Sequence, residues 1–322
     1  MNKAAADSLL STEPGRTPSE ADAPITPARL TLMAVFLVLI WGSAFTMVGV
    51  AVKYVSPIWL VAYRLTIGAI FVTGYAHYRG RRFPPLRDVR WRYYFLFGIT
   101  GSLLPFFLLS TGQLTVDSGL TAVLTGAMPL ITIILAHFFT DERLTFFKLA
   151  GFVIGFMGIV ILFMPNDLSF NLVGDWKAQS LILAAAACYA FTTVFVKRAP
   201  HVPASLGAAM MLTCAAISAL ICAFLTEVPT SFPHPTAMLM ALGLGLGSSG
   251  TANIVYLYVI EKTGPTTLAR INYLTPIASV GLGVWLLSEP LTPRLLAAFP
   301  VIIIGIMISR IGSKKSKPAK LK

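Results

Sequence analysis

Residues 127–161 read AMPLITIILAHFFTDERLTFFKLAGFVIGFMGIVI, and residues 274–308 read LTPIASVGLGVWLLSEPLTPRLLAAFPVIIIGIMI. The two stretches align at an offset of 147 residues, where identical residues recur at equivalent positions. The clearest pairs are Pro129 with Pro276 and Glu142 with Glu289, followed by a Leu-Thr pair and a Gly-Ile pair. Self-similarity at a fixed spacing indicates a duplicated structural unit. We therefore interpret the chain as two copies of one unit.

The composition around this duplication is typical of a membrane protein. Of the 322 residues, 56% are hydrophobic and only 12% are charged, and the mean hydropathy is +0.77. So few charges cannot cover the surface of a water-soluble fold of this size. The composition excludes a soluble enzyme, a disordered chain and a nucleic-acid-binding domain. The three cysteines have no metal-ligand or disulfide spacing, so we expect neither a metal nor another cofactor.

Apolar runs of near-membrane length follow one another along the chain, each bounded by charge, glycine or proline. Runs of this length predict transmembrane helices, and the short linkers make consecutive helices antiparallel neighbours. The ten predicted spans are 30–52, 57–78, 93–114, 118–139, 146–164, 178–196, 204–226, 237–260, 265–287 and 293–309.

Lysine and arginine are distributed unequally between the two sides that these spans define. With both termini inside, the inside segments hold 20 of these residues and the outside segments hold three. This positive-inside pattern explains the net charge of +12 without a nucleic-acid partner. We therefore expect a multi-pass protein of the inner (plasma) membrane with both termini in the cytoplasm. Residues 1–29 are expected to form a disordered cytoplasmic tail, and residues 310–322 a basic cytoplasmic tail.

The duplicated unit contains five spans, so the second copy must enter the membrane in the opposite orientation. Glu142 then lies on the cytoplasmic side and Glu289 on the outer side. Inverted repeats recur in secondary transporters, because two nearly equivalent halves give one chain both inward-open and outward-open states. The expected fold is an all-α membrane protein with ten transmembrane helices in two inverted five-helix repeats.

Several short motifs resemble those of one transporter family. They are Ile40-Trp41-Gly42-Ser43-Ala44-Phe45, Tyr63-Arg64, Met128-Pro129, Asp141-Glu142-Arg143-Leu144, Tyr273-Leu274-Thr275-Pro276 and Leu287-Ser288-Glu289-Pro290-Leu291. In this order they resemble the EamA family of the drug/metabolite transporter superfamily, over about residues 30–310. The resemblance implies a first EamA repeat at 30–164 and a second at 178–309. It also implies export of small metabolites, often amino acids, through a central cavity between the repeats.

Polar and aromatic residues within or near the ends of the predicted spans are the candidates for substrate binding. Such side chains bind an amino or carboxyl group, while aromatic rings pack against the apolar part of a solute. The candidates are Trp41, Gln113, Thr125, Tyr189, Asn253, Tyr256, Arg270 and Asn272. Hydrogen bonding between helices or packing in the core is the alternative role for these residues.

A second group of residues is expected to act in structure or gating, namely Arg64, Pro129, Pro276, Glu142 and Glu289. Arg64 lies inside the second span, where it either serves function or clamps backbone carbonyls of neighbouring helices. The two prolines each remove a backbone donor, so they act either as hinges or as static kinks. All 13 acidic residues lie in loops or at span ends, which favours facilitated transport or exchange over proton coupling.

These features together predict a carrier and not an enzyme. We expect a secondary transporter that exports small polar metabolites, with amino acids or related compounds as the first candidates, by alternating access. The alternatives are a membrane channel and an exporter of another metabolite or drug class. A membrane-embedded enzyme is disfavoured, because no histidine or acidic residue lies at the predicted midplane. The expected partners are a small-molecule substrate and the lipid bilayer, with monomer and homodimer both open.

Overall fold

The computed structural model of the chain describes residues 25–139, 145–163, 176–200, 202–228, 233–263, 271 and 274–311. Within these ranges the regular secondary structure is entirely helical. The apolar runs form these helices, and the turns between them hold the charged and helix-breaking residues, as in the loop from Arg79 to Val89.

The helices of the first half begin and end close to the predicted spans. Proline opens the first two, where its missing N–H has no partner within the helix in any case. The elements are α1 (Pro27–Ala51), α2 (Pro57–Tyr78), α3 (Arg90–Gly98), the π-helical stretch π1 (Ile99–Leu103), α4 (Leu104–Gly112), α5 (Ser118–Thr125), α6 (Met128–Phe139) and α7 (Phe146–Phe163).

The second half has a similar succession of elements, including a second and longer π-helical stretch. A 3₁₀ turn at Val196–Arg198 follows its first helix. The elements are α8 (Trp176–Phe195), α9 (Ala204–Thr226), α10 (Pro235–Leu242), π2 (Gly243–Thr251), α11 (Ala252–Thr263), α12 (Thr275–Leu287) and α13 (Pro293–Ile311).

Seven helical segments of the described ranges are long and apolar enough to cross a membrane. They are α1, α2, α3 through α4, α5 through α6, α8, α9, and α10 into α11. The apolar parts of α7, α12 and α13 are shorter. The predicted span 265–287 overlaps α12, but most of residues 264–273 lies outside the described residues. The protein is a multi-pass α-helical membrane protein, and the count of ten spans stays a prediction.

Two π-helical stretches occupy equivalent places in the two halves. Adding the offset of 147 residues to π1 gives residues 246–250, which lie within π2. A Cβ on Gly98, just before π1, would lie 2.6 Å from the carbonyl oxygen of Met211. A Cβ on Gly245 in π2 would lie 3.0 Å from the carbonyl oxygen of Arg64. Both contacts join equivalent residues, so each π-helical stretch packs on the other half in the same way.

The last helices of the two halves, α7 and α13, also cross through glycines. A Cβ on Gly158 would lie 3.1 Å from the carbonyl oxygen of Ala298, and one on Gly305 would lie 2.6 Å from that of Gly151. These pairs are again equivalent at the offset of 147 residues. The later part of α7 contacts the earlier part of α13, and the earlier part of α7 contacts the later part of α13. The two helices are therefore antiparallel. Gly151 and the other glycines here serve close packing, as small residues do between membrane helices.

The basic connection between α2 and α3 is held by polar contacts. Arg81 donates a hydrogen bond to the hydroxyl of Ser205 at the start of α9. Arg90 donates hydrogen bonds to the carboxylate of Asp88 from its side chain and from its backbone N–H. These bonds, the side-chain ones most, lower the pKa of that carboxyl to about 2. Asp88 therefore stays ionised and covers the free N–H at the start of α3 at physiological pH.

We predict that Gly305→Ala destabilises the fold through the crossing of α7 and α13. The added methyl would overlap backbone atoms of α7, and overpacking of this kind costs about 1–3 kcal/mol. Gly281→Ala is the matched control, because nothing lies within 4 Å of a Cβ at that helical glycine. Gly281→Ala should be neutral or stabilising by about 0.5–1 kcal/mol. Thermal unfolding in detergent measures both, and equal effects would contradict the close crossing.

Candidate functional site

The candidate site is built around π2, the stretch GLGLGSSGT at Gly243–Thr251. Glycine and serine let neighbouring backbones approach closely, and π-helical stretches inside α-helices are frequent at functional sites. The close packing of Gly245 on the backbone of Arg64 brings α2 against this stretch. As a result, two serine hydroxyls of π2 face the side chain of Arg64.

Arg64 is the buried charge of this site, with only 8% of its surface exposed. Its Nε donates to the hydroxyl of Ser249 over 2.8 Å, and its Nη2 donates to the hydroxyl of Ser248 over 3.0 Å. The Ser248 hydroxyl in turn donates to the carbonyl oxygen of Leu244. Within the described part of the chain, no carboxylate forms an ion pair with Arg64.

Two aromatic rings continue the site away from Arg64. The guanidinium carbon of Arg64 lies 3.6 Å from the ring centroid of Phe106 on α4, which is a cation–π contact. The edge of that ring meets Tyr189 on α8, with the two centroids 6.4 Å apart. Side chains from α2, α4, α8 and π2 therefore converge, and they come from both halves of the chain.

Three further predicted residues, Asn253, Tyr256 and Trp41, lie on α11 and α1. Asn253 donates from Nδ2 to the carbonyl oxygen of Ser249 over 2.7 Å. Tyr256 follows one turn along α11, and its ring meets that of Trp41 on α1 at 5.8 Å between centroids. Asn253 thus contacts the same stretch as Arg64, while Trp41 and Tyr256 pack with each other in a separate cluster between α1 and α11.

Two other predicted residues lie at the ends of the helices that surround the site. Gln113 is buried, and its Nε2 donates to the carbonyl oxygen of Phe45, which ties α4 to α1. Its Oε1 is buried with no hydrogen-bond partner among the described residues. Thr125 donates its hydroxyl to the carbonyl oxygen of Thr121 within its own helix. Arg270, Asn272 and Glu142 lie outside the described residues.

Both predicted prolines stand at the beginning of a helix. Pro129 is the second residue of α6, directly after the break at Gly126 and Ala127, and Pro276 is the second residue of α12. Proline is tolerated in a first turn, because its missing N–H needs no partner there. A Cβ on Gly126 would lie 3.4 Å from Cγ of Pro276, so the break in one half touches the proline of the other.

Glu289 joins the two halves at the end of α12. Its carboxylate accepts hydrogen bonds from the backbone N–H groups of Ser118 over 2.8 Å and Gly119 over 3.0 Å. These groups form the N-terminus of α5, where the helix dipole favours a negative charge. Ser288 reaches this position with a φ of 55°, in the left-handed region. The carboxylate of the second half thus holds a helix of the first half.

Sequence reasoning missed three residues that contact Arg64, namely Ser248, Ser249 and Phe106. The available signal was the serine pair that follows a glycine run inside an apolar span. The sequence does not indicate which residue pairs with these serines, because Arg64 of α2 reaches them only in the folded chain.

The fold and its apolar helices of membrane length are those of a multi-pass α-helical membrane protein. The sequence profile of the EamA-like transporter family matches residues 29–164 and again residues 176–311. The two matches cover most of the chain, so the chain belongs to the EamA-like transporter family.

Characterised and uncharacterised relatives carry transporter names. The chain is 26% identical over 293 residues to the uncharacterized inner membrane transporter YedA of Escherichia coli K12, covering 88% of this chain and 91% of YedA. It is 29% identical over 255 residues to the aromatic amino acid exporter YddG of Ancylobacter novellus, covering 77% of this chain and 85% of YddG. A protein crystal structure that is 21% identical superposes with a TM-score of 0.64 over 90% of this chain and 99% of the other, which shows the same fold.

We predict that Glu289→Gln weakens the link between α12 and α5. The amide keeps the size of the side chain but loses the charge and presents one donor to a backbone N–H. Hydrogen bonds to a charged group contribute about 1.5–3 kcal/mol, so a loss of about 1–2 kcal/mol in unfolding free energy is expected. Glu227→Gln, at an exposed carboxylate, is the control and should change stability by less than about 0.5 kcal/mol. Chemical or thermal unfolding in detergent compares the two variants.

Proposed function

We propose that the protein is a secondary transporter that exports small polar metabolites, with amino acids or related compounds as its cargo. The proposal includes ten spans in two inverted repeats, at 30–164 and 178–309, and an inner-membrane location with both termini in the cytoplasm. The cargo passes through a cavity between the repeats by alternating access. Transport is facilitative or an exchange of one solute for another.

The observation that carries this proposal is the equivalent packing of the two halves on each other. The helices α7 and α13 are equivalent in sequence and antiparallel in space, which supports an inverted repeat. The contacts of Gly98 and Gly245 relate the two π-helical stretches in the same way. Two halves with matching contacts have nearly equal alternatives for their mutual packing, and this is the requirement for alternating access.

The contact of Glu289 with α5 supports a gate at the outer side of this carrier. It lies at a connection that the charge distribution assigns to the outside, and it joins one half to the other. Pro129 and Pro276 begin α6 and α12, at the opposite ends of α5 and α12 from this contact, where half-helices can change direction without breaking internal hydrogen bonds. Glu289 and the two prolines are therefore assigned to gating.

The site around π2 supports a solute with a polar end and an apolar body. Serine hydroxyls, Asn253 and Arg64 supply hydrogen bonds, while the rings of Phe106, Tyr189, Trp41 and Tyr256 supply apolar surface. The similarity to a protein named as an aromatic amino acid exporter supports both the class of solute and the direction of transport. Arg270 and Asn272 are proposed to complete the site.

Counterflow in proteoliposomes tests the proposed function. Liposomes loaded with an unlabelled amino acid should take up the labelled one transiently against its gradient, and uptake should saturate. A channel would give flux without acceleration by the internal solute. Absence of counterflow for every amino acid, with counterflow for another metabolite, would move the cargo to that class.

We predict that Trp41→Ala weakens transport of aromatic amino acids. The substitution removes the indole that packs on Tyr256 and that is proposed to contact the cargo. Loss of one aromatic contact with the cargo, about 1.4 kcal/mol, raises KM about tenfold. Trp285→Ala is the matched control, since Trp285 is 78% exposed on the surface of α12. The control should transport as the unchanged protein does, and an equal loss in both variants would contradict the assignment of Trp41.

A further inference from the structure

We infer that Arg64 binds the anionic group of the cargo, so that the transporter selects solutes that carry a carboxylate next to an apolar body. The inference rests on the proposed function, because it assigns the recognising group of the same site. It also gives Arg64 a role in substrate binding in place of a purely structural one.

The first argument is the number of donors that the site leaves free. A guanidinium has five N–H donors in a planar fork. Ser248 and Ser249 accept two of them, and the other three find no acceptor among the described residues. Since the hydroxyl of Ser248 already donates to Leu244, it cannot turn toward a second partner without losing that bond. Free donors at a buried cation are the arrangement that a carboxylate completes.

The second argument is the charge. Burial of Arg64 among apolar helices disfavours its cation unless a negative charge or several hydrogen bonds offset the cost. No described carboxylate forms an ion pair with it, and neutral hydroxyls offset only part of the cost. A cargo anion supplies the missing charge while it is bound and removes it again on release. A resident carboxylate would hold the guanidinium permanently and leave no such site.

The third argument is the direction in which the fork is open. The ring of Phe106 covers one face of the guanidinium at 3.6 Å, and the N–H groups that the serines leave free point along the edge of its plane, where a carboxylate accepts from them. Edge approach permits the bidentate geometry that arginine forms with a carboxylate. Phe106 in turn contacts Tyr189, so an apolar body attached to the carboxylate finds aromatic rings beside it.

The repeat makes this anchor one-sided. The position equivalent to Arg64 in the second half is Met211, although Ser102 in π1 is equivalent to Ser249. Met211 of the second half, packed against π1 of the first half, therefore repeats the packing and one serine without the guanidinium. The anionic group of the cargo is accordingly held against π2 and not against π1.

Thermal unfolding of the purified full-length protein in detergent, with matched ligands, tests this inference. The probes are 3-phenylpropanoate, the neutral 3-phenylpropanamide and the cationic 3-phenylpropan-1-amine, which share one apolar body. A ligand that binds the folded state raises the unfolding midpoint. We expect 3-phenylpropanoate at saturating concentration to raise the midpoint by about 2–4 °C and the amine to leave it unchanged.

The variants Arg64→Gln and Arg64→Lys separate recognition from structure. Arg64→Gln should abolish the shift by 3-phenylpropanoate, while Arg64→Lys should keep a weaker shift, because lysine keeps the charge but not the fork. Arg79→Gln removes one exposed charge at the end of the same helix and should respond as the unchanged protein does. Each variant is compared with its own midpoint without ligand, so a change in basal stability does not affect the result.

The outcomes distinguish this inference from the proposed function. Equal shifts by the carboxylate and the amine, no shift by any probe, or a shift that survives in Arg64→Gln would overturn the inference and leave Arg64 as a structural clamp. Counterflow in the unchanged protein would still support the transporter. A carboxylate-specific shift lost in Arg64→Gln, without counterflow of any solute, would support the anion site and contradict the carrier.

Discussion

Close approach of helix backbones at glycines is the contact on which the rest of this structure depends. Burial of apolar side chains away from lipid does not stabilise helix association in a bilayer. Membrane helices therefore associate through close packing and hydrogen bonds, and glycine permits the closest packing. Gly98 and Gly245 bring the two π-helical stretches onto the backbone of the other half, and Gly158 and Gly305 let α7 and α13 cross. Each contact recurs at the offset of 147 residues. The two halves thereby pack on each other through matching surfaces.

The chemistry of the site follows from this packing. Because Gly245 lies against the carbonyl of Arg64, the serines of π2 accept hydrogen bonds from the guanidinium. The ring of Phe106 covers one face of the same guanidinium. A larger residue at 245 would separate α2 from π2 and expose the charge to lipid or to an empty interior. At the end of α12, Glu289 accepts hydrogen bonds from the N-terminus of α5 and so connects the two halves. Packing and polar contacts thus place the charge of Arg64 in the interior and the charge of Glu289 at the N-terminus of α5.

Much of the fold is predictable from the sequence, because apolar length and the bounding prolines fix helix positions within a few residues. The predicted spans 57–78 and 204–226 coincide with α2 and α9. The π-helical stretches are not predictable, since they depend on contacts between halves far apart in the chain. For the same reason the sequence does not indicate the partners of Arg64, while Trp41 and Tyr256 are predicted as site residues because they are aromatic residues within apolar spans. Pro129 lies inside the segment Ser118–Phe139, as predicted, but the sequence does not reveal that the helix breaks just before it at Gly126 and Ala127.

The central claim is that the contact between the halves opens and closes as cargo passes. Spin labels at Leu114 and Leu291 test this claim, because these residues are 53% and 49% exposed and lie beside the contact of Glu289 with α5. Double electron–electron resonance measures the distance between the two labels. Cys188, Cys214 and Cys222 are replaced first so that only the introduced sites react. We predict two distance populations in lipid, one matching the closed contact and one longer, whose ratio changes when a transported solute is added. A single population, unchanged by a solute that shows counterflow, would contradict alternating access at this contact.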